Sequence, residues 1–145
     1  LPVIAATATS PVLSDKEFYP YFSRMFPSDA FQGKVLARMA HKMGFTKVAT
    51  ISTSFHMYYE GITNTFVREA ENLNMTILSV TTTMASTYED LKSAFKTVRD
   101  AGYRVIMVAQ EHDNVRDAIV ELKMQGPGYQ YFGIESEWGQ GNATQ

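Results

Sequence analysis

Four short apolar runs, each separated from the next by a stretch of helical period, constrain this chain more than any other feature. The runs are 48–52, 76–81, 104–109 and 129–134. Their β-branched and aromatic residues stand on consecutive rather than alternate positions, the pattern of strands buried on both faces of a parallel sheet. Between them, 31–43 spaces Val35, Leu36, Met39 and Met43 by three and four and is followed by Gly44, a residue suited to a helix C-terminus. Segment 59–72 carries Ile62, Phe66, Val67 and Ala70 on one stripe, with Arg68, Glu69 and Glu71 on the solvated side. Segment 88–101 carries Leu91, Phe95 and Val98, with Ser86 and Thr87 as a cap and Gly102 as a stop. Segment 114–125 carries Val115, Ala118, Ile119 and Leu122 and halts at Gly126-Pro127-Gly128. Strands alternating with helices of this length predict βαβ units, and hence an α/β fold: a three-layer αβα open, mostly parallel sheet. Ligands of such sheets sit beyond the carboxyl ends of the strands, which confines the search for function to the residues just after each strand.

The first thirty residues break the rhythm. A strand over 1–6 leads into Thr7-Ala8-Thr9-Ser10-Pro11, small and hydroxyl-rich, and a second strand over 21–26 stops at Pro27-Ser28-Asp29, which also offers helix caps. A chain that opens on a strand with no helix before it is expected to be part of a larger unit. Residues 1–145 are therefore read as a single lobe and a fragment.

Composition removes several classes. No run of eighteen apolar residues spans a bilayer, and no basic stretch with an apolar centre reads as a signal peptide. A net charge of −2 with Lys and Arg scattered gives no footprint for nucleic acid. Zero cysteines exclude disulfides, thiolate zinc sites and cysteine nucleophiles, and leave the redox compartment open. Two N-glycosylation sequons, at Asn74 and Asn142, tilt the setting toward the extracellular. A nucleophile elbow, a P-loop and a glycine-rich dinucleotide turn are all missing, and His41, His56 and His112 stand apart rather than at metal-ligand spacing. No metal, no cofactor and no enzymatic activity are expected.

The candidate site residues follow the strands. Glu111-His112-Asp113 reads as a polar clamp or a divalent-metal pair; the favoured reading makes Asp113 and Asn114 helix caps. The eight methionines read as core filler. Tyr58 and Tyr59 start a helix directly after a strand, where aromatic hydroxyls line a pocket or simply pack in a core. Thr7, Thr9 and Ser10 offer hydroxyls and backbone amides that suit a small carboxylate or ammonium group, or a capping turn ahead of Pro11.

With these pieces in order, the chain resembles a known family. Residues 4–10, then Leu13-Ser14-Asp15-Lys16, Tyr21-Phe22-Ser23-Arg24 and Pro27-Ser28-Asp29, look like the segment that crosses into the second lobe of type I periplasmic-binding-protein domains. The likeness is to the extracellular ligand-binding region of class C G-protein-coupled receptors, such as the metabotropic glutamate and GABA receptors. The resemblance implies two lobes closing on an amino-acid-like ligand, with the missing first lobe supplied by the same chain and homo- or heterodimers as possible assemblies. It implies that Thr7 and Thr9 hold the ligand's head group, that Tyr58 is a pocket tyrosine, and that Glu135 or Ser136 falls near the acidic residue that pairs with the ligand's ammonium. Tyr59 replaces a glycine usual in the family. The competing expectations are a soluble amino-acid-binding protein of a transport system and a flavodoxin-like α/β enzyme.

Overall fold

A computed structural model describes residues 1–110 and 114–134. Two strands, β1 (Val3–Ala5) and β2 (Phe22–Arg24), pair in parallel as a sheet of their own, with a 3-10 turn at Pro11–Ser14 between them. Then follow α1 (Asp29–Lys42), β3 (Lys47–Ser54), α2 (Met57–Asn72), β4 (Thr76–Thr83), α3 (Tyr88–Asp100), β5 (Val105–Ala109), α4 (Val115–Glu121) and β6 (Gln130–Gly133). The second sheet is wholly parallel with strand order β4-β3-β5-β6. The predicted α/β class and its three layers are the observed ones.

The alternation of side chains along each strand builds the layers. Val48 of β3 and Val105, Met107 and Ala109 of β5 join Ile62, Phe66 and Ala70 of α2 and Ala37 and Ala40 of α1 in one core. Ala49, Ile51, Ile106 and Val108 point the other way, onto Leu91, Phe95 and Val98 of α3 and Val115 and Ala118 of α4. Both faces of the central strands are covered, so even the polar Thr50, Ser52 and Thr53 of β3 are buried. α1 rests on α2 through Gly33, where a Cβ would stand 2.4 Å from the Ile62 carbonyl oxygen.

All four helices end the same way. The residue after the cap, Gly44, Asn74, Gly102 or Lys123, takes positive φ, and the next amide bonds back to the carbonyl five residues earlier. Phe45, Met75, Tyr103 and Met124 thereby turn inward to start the following segment, which is the Schellman arrangement with its apolar contact. This corrects the last helix: the pattern predicts 114–125, but Lys123 at φ 54 stops α4 at Glu121, ahead of the Gly-Pro-Gly turn. α1 begins two residues before the expected Phe31, because Ser28 caps it, accepting from the Ala30 amide at 3.4 Å. The two N-terminal strands are shorter than 1–6 and 21–26, limited to three paired residues each. Asn114 stands at the N-cap position of α4, though its side chain makes no capping hydrogen bond to the helix; Asp113, Glu111 and His112 lie outside the described residues.

Candidate functional site

Strand order locates the site before any side chain is considered. From β3 the chain passes to β4 on one side and then back across to β5 on the other, so the order reverses between β3 and β5. In an open α/β sheet the crevice beyond the carboxyl ends at such a reversal is where ligands bind. Among the described residues, the segments that border it are the β3–α2 connection and the first turn of α2.

A buried polar chain closes the sheet just beneath this crevice. Thr53 Oγ1 donates to Gln110 Oε1 at 2.9 Å, and Gln110 Nε2 donates to Thr82 Oγ1 at 2.6 Å. Thr53, Thr82 and Gln110 are all buried. The three side chains tie together the carboxyl ends of β3, β4 and β5, and Ser54 Oγ adds a bond to the Thr82 carbonyl at 2.9 Å. Satisfied polar networks of this kind fix a single arrangement of the groups that carry them, so the floor of the crevice is rigid. Sequence reasoning missed this triad; its signal was the polar residue closing each of three apolar runs.

Above that floor stands the start of α2. Phe55 sits at φ 62, an unusual conformation for a bulky residue, with its amide donating to Glu60 Oε1 at 2.9 Å and its side chain 86% exposed. His56 follows as the N-cap residue, its ring 4.5 Å from Tyr59 and 6.4 Å from Tyr58 between centroids. Tyr58 and Tyr59 meet edge to face at 5.3 Å. Tyr59 is buried in the α1–α2 core, and Tyr58 is half-buried at its margin. The two tyrosines thus divide the roles left open by the sequence, Tyr59 packing and Tyr58 reaching the surface.

The hydroxyl segment lies against the same helix. Pro11 packs on Gly61, whose missing Cβ would come within 3.2 Å of the proline ring. Gly61 stands one turn from Tyr58 on the same face of α2. The Thr9 carbonyl accepts the Asp29 amide at 3.0 Å, joining the segment to the start of α1. Arg24 Nη1 holds it from behind, donating to the Ser10 carbonyl at 2.9 Å and the Ala8 carbonyl at 3.3 Å, while Nη2 bonds to Ser14 Oγ. Thr7 is exposed, Thr9 and Ser10 are half-buried, and Ser10 Oγ is buried without a hydrogen-bond partner among the described residues. The segment that carries Thr9 and Ser10 therefore lies against α2 one turn from Tyr58, and Thr7 on it is exposed. Glu135, Ser136 and the sequon at Asn142 lie outside the described residues.

The surrounding chemistry suits recognition of a small polar molecule. The amino ends of α1 to α4 all face this end of the sheet, since each helix follows or precedes a parallel strand, and their partial positive charge favours an anionic group. Phe55, Met57 and Met84 add exposed apolar surface on the loops after β3 and β4. A separate groove of about 310 Å³ lies beside α1, lined by residues including Pro27, Asp29, Phe31 and Val35, and takes none of Thr7, Thr9, Ser10 and Tyr58. Among the described residues no cluster of three or more His, Asp or Glu side chains is placed to hold a metal ion.

The profile of the "Receptor family ligand binding region" matches residues 1–141. The mouse metabotropic glutamate receptor 4 is 23% identical over 146 aligned positions, covering 99% of this chain and 16% of the receptor. The human G-protein coupled receptor family C group 6 member A is 35% identical over 77 residues, 53% of this chain and 8% of the receptor. The chain thus spans less than a fifth of the length of either relative.

Proposed function

The chain belongs to the receptor family ligand-binding region, and from that membership we propose that it is one lobe of an extracellular, two-lobed sensor that closes on an amino-acid-like ligand. The observation that supports the reading is the packing of Pro11 on Gly61, which brings the segment after β1 against α2 one turn from Tyr58. Thr9 and Ser10 offer short hydrogen bonds to the ligand's head group, Thr7 joins them from the open side, and Tyr58 covers it from α2. Glu135 or Ser136 completes the pocket by pairing with the ammonium. A second lobe of the same chain supplies the facing half of the site, and the ligand favours the closed state by touching both lobes at once. Pairs of such lobes, in homo- or heterodimers, then carry the closure to an effector.

The flavodoxin-like strand order is shared by binding proteins and enzymes, so the order alone argues for a fold and not an activity. Its two relatives named above are receptors by name, and this favours sensing over catalysis or transport. The test is a dose-response series on the full-length receptor with the common amino acids. Tyr58→Ala and Thr9→Ala are expected to shift the active amino acid's midpoint at least about tenfold, roughly 1.4 kcal/mol, at unchanged surface abundance. Variants that respond like the parent would remove these residues from the pocket.

A further inference from the structure

Among the described residues, one edge of the main sheet is unguarded. β4 is its outermost strand, all eight residues paired to β3 on one side and, among the described residues, to nothing on the other. It lies within residues 72–88, seventeen positions without a single Asp, Glu, Lys or Arg, and neither a proline nor a bulge interrupts its register. A long, β-branched, uncharged edge is a template for pairing with another chain, and folded proteins cover, charge or break such edges.

Immediately before this strand stands Asn74, in the sequon Asn74-Met75-Thr76. It is exposed, at φ 58, in the closing turn of α2. Met75 is anchored in the core, and the Thr76 amide is bonded to the Thr46 carbonyl at 2.8 Å. The turn is therefore rigid, with the Asn74 and Thr76 residues both exposed on either side of a buried one. The αL position alone does not ask for asparagine, because glycine or lysine serves at the three equivalent helix ends. The turn also lies at the amino ends of the strands, opposite the ligand crevice, so a bulky group there leaves the crevice open.

We propose that Asn74 is N-glycosylated and that its glycan shields the free edge of β4. In the transfer, Asn74 Nδ2 attacks C1 of an oligosaccharide carried on a lipid pyrophosphate, the donor of the secretory pathway. The C1–O bond breaks, the N–C1 bond forms, the amide gives up one proton, and the lipid pyrophosphate leaves. The proposal rests on the extracellular reading above, since the donor is met only in that pathway.

The full-length protein is expressed in a glycosylating animal cell, labelled at the cell surface, and digested with peptide-N-glycosidase in heavy-oxygen water. The expected result is a labelled Asp at position 74 in the surface-labelled pool, retained in Thr76→Ser and lost in Thr76→Ala. An unmodified Asn74 in protein that has reached the surface overturns the proposal and leaves the extracellular reading standing. Protein that never acquires surface label defeats that reading and the modification with it. The shielding role is read with Asn74→Gly, which keeps a residue suited to positive φ. Made in animal cells it is expected to show a larger aggregated fraction on size exclusion than the parent, whereas the two match when made in bacteria. Equal aggregation in animal cells overturns the shielding role.

Discussion

Single positions decide how tightly the layers and the crevice floor are held. Gln110 is the clearest case, because its amide both accepts from Thr53 and donates to Thr82 in a buried setting. Gln110→Leu leaves two buried hydroxyls without these partners, each expected to cost about 1–3 kcal/mol. A fall in the urea midpoint with an unchanged slope checks this; an unaltered midpoint would show that the hydroxyls re-pair. Gly33 matters for a steric reason, since a Cβ there meets the Ile62 carbonyl at 2.4 Å and the Phe66 amide nitrogen at 3.0 Å, both backbone. Gly33→Ala is expected to push α1 off α2 at a cost of about 1–3 kcal/mol, despite alanine's better helix propensity. Thermal unfolding of the variant, expected below the parent, checks the sign. Neither role could be read from the sequence. Gln110 reads as a polar residue ending a strand, and Gly33 as a weak point in a helix, until the partner element is in place. Thr9, Ser10 and Tyr58 stand out in the sequence only as polar positions just after strands, and their place in a pocket stays a proposal.

At the scale of elements the sequence is most legible where local chemistry and burial agree. The four strands of the main sheet fall where consecutive apolar positions predict them, and α3 begins at its expected cap. Thr87 Oγ1 accepts the Asp90 amide at 3.3 Å, and Asp90 accepts from the Thr87 amide at 2.8 Å, a reciprocal capping box. The end of α4 was misplaced because Lys123, an ordinary helix former, takes positive φ to let Met124 reach the core, and tertiary burial overrides propensity there. Thr87→Ala is expected to cost about 1 kcal/mol by removing the cap. The box also sets a pH dependence. The Thr87 backbone hydrogen bond, then that of its side chain, holds the Asp90 carboxyl below its ordinary 3.8. A carboxyl whose folded pKa is depressed contributes stability that is present above the unfolded value and fades as pH falls through the folded one. The stability gap between the parent and Asp90→Asn should therefore be widest above about pH 4 and narrow below it. Denaturation midpoints across pH 2 to 7 check this, and a gap that stays constant would deny the box its ionic part.

At the scale of the molecule the two sheets are unequal, and the inequality bears on what the chain can do alone. β3 and β5 are buried between helices on both faces, whereas β1 and β2 form a two-stranded parallel sheet with Val3, Ile4, Tyr21 and Met25 exposed beside it. Two parallel strands bury too little to hold themselves together, and parallel sheets are covered on both faces wherever they are stable. The hydroxyl segment 7–10 hangs from this weak sheet, fastened to the rest of the chain by Pro11, Arg24 and the Thr9–Asp29 bond. Local opening follows local burial, so amide exchange in the 145-residue chain should be fast at 3–5 and 22–24 and slow at Ile51 and Val108. Equal protection of the two sheets would refute this. Binding follows from the same asymmetry. Ordering the loose segment draws on the free energy of binding, and under the proposed two-lobe closure a shared pocket offers this chain only part of its contacts. Each tenfold of affinity is about 1.4 kcal/mol, the worth of one or two hydrogen bonds, so losing the facing lobe's contacts should weaken binding by several orders of magnitude. Calorimetry of the 145-residue chain with whichever amino acid proves active in the proposed dose-response series is expected to show no heat of binding at micromolar concentrations. A micromolar dissociation constant would mean that this lobe holds the whole site, and would remove the argument for closure.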